Sequence, residues 1–315
     1  MPVEIGELTV AVLLPCYNEE AAIAQTVEGF RAALPAARIY VYDNNSADRT
    51  REIAVEAGAI VRSERMQGKG HVVRRMFADV EADIYVMADG DATYDASAAP
   101  QLVAKLIDEQ LDMVVGARKS EVEEAYRRGH ALGNRVFTGL LAGLFGRSFS
   151  DIFSGYRVFS RRFAKSFPAL SRGFETETEI SVHALELAMP VGEVVTAYGA
   201  RPDGSHSKLS TWRDGWRILK TILHLYRIER PVLFYGSFAL FLATLAVVLA
   251  VPLAITYFRT GLVPRFPTAI LATGLMILAF LSFFTGLILD TVVRGRREVR
   301  RLHYLSFPAP GAPKL

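Results

Sequence analysis

The sequence of 315 residues contains a single cysteine, Cys16, and this scarcity excludes several kinds of site. One thiol cannot build a disulfide framework or a cysteine-based zinc site, and such low cysteine usage is typical of a reducing compartment. A Walker phosphate loop is also missing. The nearest approach to a dinucleotide fingerprint, Gly68-Lys69-Gly70, lacks the third glycine and does not follow the first predicted strand. The sequence therefore indicates neither a phosphate-loop protein nor a Rossmann dehydrogenase.

Acidic side chains are scarce in the last part of the chain. Residues 201–315 carry 15 basic and 5 acidic side chains, whereas residues 1–200 carry 21 basic and 28 acidic ones. A basic segment indicates either nucleic acid or a membrane surface as its partner. Long apolar runs in the same segment favour the membrane, and no pattern of stacking aromatics in a basic groove accompanies the charge. A lipid bilayer is the expected partner, and nucleic acid is not.

Two apolar runs predict transmembrane helices at about 233–258 and 268–289. Neither run contains a charged residue, and both reach the roughly 20 residues that cross a bilayer core. The short loop between them predicts a hairpin spanning residues 231–292, and two buried core helices are the less favoured alternative. Arginines are concentrated at the outer ends of this hairpin, at 227–230 and 294–301. This bias predicts a multi-pass protein of the inner (cytoplasmic) membrane, with the N-terminal domain and a basic tail, residues 293–315, in the cytoplasm.

A basic amphipathic segment, residues 209–230, precedes the first apolar run. Its apolar residues recur at helical spacing and include Trp212 and Trp216, while Arg213, Arg217 and Lys220 occupy much of the remaining face. This pattern predicts a helix lying in the lipid headgroup layer, with a surface helix packed on its own domain as the alternative. A further apolar stretch, residues 132–149, is too short to span a membrane and fits either a core helix or a membrane-dipping element.

Strand and helix patterns alternate through the first 116 residues. Apolar strand patterns occur at residues 9–14, 38–42, 59–62, 84–88 and 113–115, with helical patterns between them. Such alternation predicts an α/β domain, residues 1–208, built on a parallel or mostly parallel sheet. Ligands of such sheets bind beyond the carboxyl ends of the strands, which directs attention to the residues that follow each strand.

Polar motifs follow three of the predicted strands: residues 15–20 (Pro-Cys-Tyr-Asn-Glu-Glu), residues 43–48 (Asp-Asn-Asn-Ser-Ala-Asp), and Asp89-Gly90-Asp91. Two carboxylates one residue apart at a strand end can both reach a divalent cation, and oxygen ligands favour Mg²⁺ or Mn²⁺ over zinc. Because Mg²⁺ commonly bridges protein carboxylates to substrate phosphates, a nucleotide-diphosphate ligand is implied, whose departing charge the metal would neutralise.

Taken in order, these motifs and Gly68-Lys69-Gly70 resemble the family 2 glycosyltransferases, which have the GT-A fold. The sequence is most similar to the polyprenyl-phosphate sugar transferases, the group of dolichyl-phosphate mannose synthase and bactoprenol glucosyltransferase. Further matches are Gly116-Ala117-Arg118, residues 151–157, residues 174–177, Ser207-Lys208-Leu209 and the C-terminal hairpin. The resemblance implies inverting transfer of a sugar from a nucleotide-diphosphate sugar to the phosphate of a membrane polyprenyl phosphate, for cell-envelope glycan assembly or modification. A UDP-sugar is the favoured donor, and GDP-mannose is the other option.

The resemblance also implies roles at matching positions. The nucleotide-sugar would be bound by Pro15, Tyr17, Asn18, Glu19, Asp43, Lys69 and Asp89, and the metal by Asp89 and Asp91. The acceptor phosphate would be bound by Arg118, Arg135, Arg201, His206 and Lys208. Asp91, Arg118 and Asp151 are the predicted catalytic residues.

The charge of the acceptor decides what Asp151 must do. A hydroxyl acceptor needs a general base, whereas a lipid phosphate is already ionised and needs cations to hold it. Asp151 is therefore expected to be a positioning group, or a partner that fixes Arg157. Two alternatives stay open: a membrane glycosyltransferase with a hydroxyl acceptor such as diacylglycerol, and a non-catalytic membrane scaffold. A homo-oligomer formed through the apolar helices is also open.

Overall fold

A computed structural model of the chain describes residues 8–119, 149–171, 175–199 and 230–310, together with residues 139, 173, 220 and 226–228. The chain divides into two compact units. The first comprises Met1–Asp214 and Arg300–Leu315, and the second comprises Gly215–Val299. The finer division into domains at 208, 230 and 292 stays a prediction.

Through residue 119 the first unit alternates strands and helices in the predicted order, and two further strands and two helices follow. Its strands are β1 (Val10–Cys16), β2 (Arg38–Asp43), β3 (Ile60–Ser63), β4 (Ile84–Met87), β5 (Met113–Lys119), β6 (Arg157–Ser160) and β7 (Val191–Ala197). Its helices are α1 (Ile23–Ala33), α2 (Thr50–Glu56), α3 (Lys69–Asp79), α4 (Ala99–Asp108), α5 (Arg161–Ser166) and α6 (Thr176–Glu186), and a short 3₁₀ helix at Ala96–Ala98 precedes α4.

All seven strands form one mixed sheet with the order β3-β2-β1-β4-β6-β5-β7. Strand β6 pairs antiparallel with both β4 and β5, and the other pairs are parallel. The central strands are continuous apolar runs because helices cover both faces of the sheet. The predicted mostly parallel sheet is therefore confirmed.

Alternate residues of the strands build two apolar layers. On one face Val12, Leu14 and Val86 join a core that includes Phe30 of α1 and Leu102 of α4. On the other face the aromatic rings of β4, β6, α3, α5 and the turn after α5 pack edge to face or stack on one another: Tyr85, Phe159, Phe77, Phe163 and Phe167. Helices therefore cover both faces of the sheet, and the ends of its strands remain available for a site.

The second unit contains two long apolar helices, α7 (Pro231–Thr260) and α8 (Phe266–Leu305). Both are long and apolar enough to cross a membrane, and only 11% and 17% of their most apolar windows are buried. Gly286 lets the pair approach closely, since an added Cβ would lie 3.1 Å from that of Tyr235, and the Ser282 hydroxyl donates to the Tyr235 carbonyl (3.0 Å). Helix α8 continues past Leu289, through part of the predicted tail, to Leu305.

Two predicted elements fall largely outside the described residues. Of the amphipathic segment 209–230, only residues 220, 226–228 and 230 are described, and 226–228 are helical. Of the stretch 132–149, only residues 139 and 149 are described. The interfacial helix therefore stays a prediction.

Candidate active site

The carboxyl ends of β1, β2 and β4 lie side by side. Cys16 stands opposite Asp43 in the β1–β2 register, and Leu13 stands opposite Met87 in the β1–β4 register. The Asn44 backbone N–H donates to the Cys16 carbonyl at 2.9 Å. The three polar motifs that follow these strands therefore meet at one edge of the sheet, where ligands of such sheets bind.

The motifs after β1 and β2 interlock through the side chains of Asn18 and its neighbours. The Asn18 N–H donates to Ser46 Oγ (2.9 Å), and Asn18 Oδ1 accepts the Ala47 N–H (2.8 Å). The Glu19 N–H donates to Thr50 Oγ1 (2.8 Å). Asn18 has a φ of 53°, a left-handed conformation that asparagine tolerates better than most residues. Asn18 thus shapes the loop, and its predicted contact with the nucleotide stays a prediction.

The predicted nucleoside residues Pro15, Tyr17 and Asp43 lie at this edge. Asp43 is buried, and its Oδ1 accepts the Ser46 N–H at 3.2 Å. Pro15 is partly buried, whereas Tyr17 is exposed. Tyr17 therefore presents an exposed aromatic ring at this edge.

Asn44 builds the loop that leads to α3. Its Nδ2 donates to the carbonyls of Glu64 (2.9 Å) and Met66 (2.8 Å), and its Oδ1 accepts the Gly68 N–H (2.7 Å). Gly68 has a φ of 131°, which disfavours any residue with a side chain. The buried side-chain amide of Asn44 therefore fixes the position at which α3 begins, and with it the position of Lys69. The sequence motif alone does not reveal this role.

Lys69 forms ion pairs with two carboxylates. Its Nζ lies 2.5 Å from Asp89 Oδ1 and 2.5 Å from Glu177 Oε1. Burial opposes the charge on the ammonium, but the two carboxylates outweigh it and raise the pKa of Lys69 above its usual range. The structure thus brings Lys69 and Asp89 together. Glu177, on α6, is the third member of this cluster. The sequence assigns it no role: it lies in the matched segment 174–177, but nothing in its helical pattern separates it from Glu175 and Glu179.

Asp89 and Asp91 differ in their surroundings. The Asp89 side chain is about one-third exposed (32%), whereas Asp91 is buried and its Oδ1 accepts from the Thr93 hydroxyl (2.6 Å) and N–H (3.2 Å). Within the described part of the chain, no cluster of three or more His, Cys, Asp or Glu side chains forms a metal cage. The carboxylates of Asp89 and Asp91, one accessible and one buried, fit a Mg²⁺ or Mn²⁺ ion that takes its other ligands from water and substrate phosphates.

Arg118 and Asp151 form a two-pronged ion pair. Arg118 Nε donates to Asp151 Oδ2 (2.7 Å), and Arg118 Nη2 donates to Oδ1 (2.9 Å). The guanidinium carbon also lies 5.4 Å from the centre of the Tyr198 ring. Burial would raise the pKa of Asp151, but its bonds to Arg118 outweigh burial and lower that pKa. Both oxygens of Asp151 are therefore engaged by one arginine.

The expectation that Asp151 fixes Arg157 needs correction. Arg157 is fully buried and donates to the carbonyls of Ser154 (2.9 Å) and Ile152 (2.5 Å) and to Ser181 Oγ (2.9 Å). Burial lowers the pKa of Arg157 to about 10. Arg157 therefore binds the backbone that follows Asp151, since carbonyls can satisfy a buried guanidinium, while the Asp151 carboxylate pairs with Arg118.

The remaining predicted acceptor residues are Arg135, Arg201, His206 and Lys208. All four lie outside the described residues. Their proximity to Arg118 stays a prediction.

Comparison with known proteins identifies the family. A model of glycosyl transferase family 2 matches residues 11–167, which include all three strand-end motifs. The glycosyltransferase AglJ of Haloferax volcanii is 36% identical over 72% of this chain and 75% of its own. The chain belongs to glycosyl transferase family 2. Another similar protein, a dolichyl-phosphate hexose transferase of Haloferax volcanii, is 27% identical over 70% of this chain and 95% of its own.

Solved structures establish the fold of this glycosyltransferase. Glucosyl-3-phosphoglycerate synthase from Mycobacterium tuberculosis, crystallised with Mn²⁺, uridine diphosphate and glucosyl-3-phosphoglycerate, superimposes with a TM-score of 0.57. The match covers 70% of this chain and 79% of that one at 23% sequence identity. The α/β domain therefore has the GT-A fold, as the motifs predict.

Proposed function

We propose that this family 2 enzyme transfers a sugar from a nucleotide-diphosphate sugar to the phosphate of a membrane polyprenyl phosphate, with inversion at the anomeric carbon. The observation that carries the proposal is the pairing of both Asp151 carboxylate oxygens with Arg118. A carboxylate held in this way, with a lowered pKa, is a poor general base. A phosphate acceptor needs no base, whereas a hydroxyl acceptor does.

The donor is expected to bind at the strand-end edge. Tyr17 offers its ring to the nucleoside, and Pro15, Asn18, Glu19 and Asp43 complete that side of the site. The similar structure contains uridine diphosphate, which supports a UDP-sugar over GDP-mannose. Lys69 supplies a cation next to the diphosphate.

Asp89 and Asp91 are the proposed holders of Mg²⁺ or Mn²⁺. Bound there, the ion would neutralise the negative charge that develops on the departing nucleotide diphosphate. Relatives of the fold have been crystallised with either ion and uridine diphosphate, which supports this choice of metal.

In the transfer step an oxygen of the acceptor phosphate forms a bond to the anomeric carbon. The bond from that carbon to the diphosphate breaks with its electron pair, and the nucleotide diphosphate leaves. Arg118 holds the attacking phosphate, because a guanidinium fits phosphate geometry. Asp151 keeps Arg118 oriented, and Arg135, Arg201, His206 and Lys208 are the further proposed contacts.

The proposed acceptor requires membrane association, and the C-terminal helices support it. Many large apolar side chains of α7 and α8 are exposed, among them Phe241, Phe258, Phe280 and Ile288. Side chains of this kind are stable in a bilayer and costly in water. We propose that the two helices cross the inner membrane, with the GT-A domain in the cytoplasm.

Purified protein incubated with polyprenyl phosphate, Mn²⁺ and a panel of UDP- and GDP-sugars tests the proposal. Mass spectrometry should find a polyprenyl-phosphate monosaccharide with one of the donors. A parallel reaction supplies diacylglycerol in place of the lipid phosphate, and a glycosylated product there would favour the hydroxyl-acceptor alternative. Asp91→Ala should abolish product formation. Absence of any product with all donors would overturn the proposal and favour a scaffold.

A further inference from the structure

Lys69 stands between one predicted metal ligand and one carboxylate from another part of the fold. Its side chain is only 10% exposed and that of Glu177 only 6%. Asp89 supplies the other contact and is far more exposed. The buried ammonium therefore satisfies a buried partner and an accessible one at once.

The buried carboxylate of Glu177 is stabilised by its ion pair with Lys69. Its Oε1 accepts from Lys69, whereas its buried Oε2 has no hydrogen-bond partner among the described residues. A buried carboxylate that lost its cation would be costly, because it would keep its desolvation penalty without compensation. The contact between Lys69 and Glu177 is therefore strongly favoured whatever happens at Asp89.

Close backbone packing builds this contact. An added Cβ at Gly70 would lie 2.0 Å from the Ser171 carbonyl oxygen and 2.8 Å from Thr176 Oγ1. The first turn of α3 thus rests directly on the segment that leads into α6, and only glycine allows that approach. This packing brings Lys69, at the start of α3, to Glu177, in the first turn of α6.

A divalent ion and Lys69 compete for Asp89. Lys69 already contacts Asp89 Oδ1, and two cations on one carboxylate repel each other. Glu177 opposes this effect in two ways: it shares the lysine with Asp89, and it cancels one positive charge beside the site.

We infer that Glu177 is a positioning residue that holds Lys69 at the diphosphate site and leaves Asp89 available to the metal. The inference rests on the proposed donor site and names a residue that acts through Lys69. It explains why an acidic side chain is buried in the first turn of α6 with one oxygen unpartnered.

The affinity for Mn²⁺ tests this role. It is measured with Mn²⁺ alone and with UDP or GDP present, by calorimetry and by the paramagnetic resonance signal of Mn²⁺. Glu177→Gln should weaken Mn²⁺ binding about tenfold, a typical size for coupling between close charges, because Lys69 then pairs with Asp89 alone. Lys69→Met should bind Mn²⁺ more tightly than the wild type but bind the nucleotide more weakly. The double variant, with the local net charge restored, should bind Mn²⁺ within about threefold of the wild type.

Glu186→Gln is the matched control. Glu186 is a second buried carboxylate on α6 and pairs with Arg300 at 2.6 Å, so its loss removes a comparable ion pair away from Lys69. The control should lose thermal stability and keep its Mn²⁺ affinity. The double variant retains neither buried charge, so it carries the test even where a single variant does not fold.

The outcomes separate this inference from the proposed function. Unchanged Mn²⁺ affinity in Glu177→Gln, or a double variant that binds Mn²⁺ more weakly than Glu177→Gln, would overturn the inference while wild-type binding and turnover stand. A wild type that binds Mn²⁺ and nucleotide but forms no lipid product would overturn only the proposed acceptor. A wild type that binds neither would overturn both.

Discussion

At the scale of single residues, the candidate site is built from charged side chains that restrain one another. Arg118 holds Asp151, and Lys69 bridges Asp89 and Glu177. In each pair burial acts against the charge and the partner outweighs it. Such pairing avoids leaving a lone charge in a buried position.

Asp151→Asn tests whether Asp151 is a base or a positioning residue. The amide can still accept a bond from Arg118, so transfer to polyprenyl phosphate should persist, with KM for the acceptor raised about tenfold and kcat reduced less. Steady-state kinetics at several acceptor concentrations measure the split. A folded Asp151→Asn protein without any turnover would show instead that Asp151 removes a proton.

His183 predicts how stability depends on pH. It is buried against Phe163 and Phe167, and burial lowers its pKa to about 3 from an ordinary value near 6.5. Because the unfolded chain takes up this proton near pH 6.5 and the folded chain only near pH 3, the stability that neutral His183 contributes is complete above pH 6.5. This contribution is lost as the pH falls from 6.5 towards 3, and at pH 5 the free energy of unfolding is lower by about 1–3 kcal/mol.

Thermal unfolding of wild type and His183→Phe at pH 7.5 and pH 5 isolates this contribution. Phenylalanine keeps the ring contacts and cannot titrate, so the variant should lose less stability on acidification than the wild type does. Equal losses in both proteins would assign the acid sensitivity to other groups.

At the scale of elements, the end of α8 belongs to the GT-A unit. From Arg300 onwards the chain contacts that unit through charged and aromatic pairs. The Tyr304 hydroxyl donates to Asp112 Oδ2 (2.8 Å), and the Arg162 guanidinium carbon lies 4.8 Å from the centre of the Tyr304 ring. Asp112 is fully buried and also pairs with Arg162. The helix end is therefore part of the folded domain and more than a basic tail.

Tyr304→Phe tests how strongly the end of α8 stabilises the GT-A unit. The variant keeps the ring over Arg162 but removes a hydrogen bond to a buried carboxylate, which should cost about 1.5–3 kcal/mol. Thermal unfolding of the GT-A unit, followed by its tyrosine signal, should show a lower midpoint. Tyr257→Phe, whose exposed ring lies in α7, is the control and should leave that midpoint unchanged.

At the scale of the whole molecule, the two units differ in where their apolar side chains lie. The GT-A unit has an apolar core between helical layers, whereas α7 and α8 expose their apolar side chains. Burial of such side chains contributes roughly 25 cal/mol for each Å² removed from water. The second unit is therefore expected to be stable in lipid or detergent.

Fractionation of cells that produce the protein tests this expectation. The protein should sediment with membranes, stay there through washes with high salt and alkaline carbonate, and dissolve in detergent, because apolar burial is insensitive to charge screening. Release by salt alone would show that only its basic residues hold it at the surface.

The local pattern of the sequence determined the order of strands and helices through the first 116 residues, the three polar strand ends and the two apolar helices. Each of these depends on side-chain period, turn residues or an uninterrupted apolar run, all of which are local properties. The sheet order, with β6 antiparallel between β4 and β5, depended on contacts distant in the sequence.

The partners of the charged residues were decided only by the tertiary structure. Glu177 reaches Lys69, and Asp151 takes Arg118 while Arg157 binds backbone carbonyls. These pairings form where segments that are distant in the sequence come close together, as at Gly70. The physical reason is that a charge leaving water must find its partner among the groups that folding places beside it, and sequence spacing does not record that set.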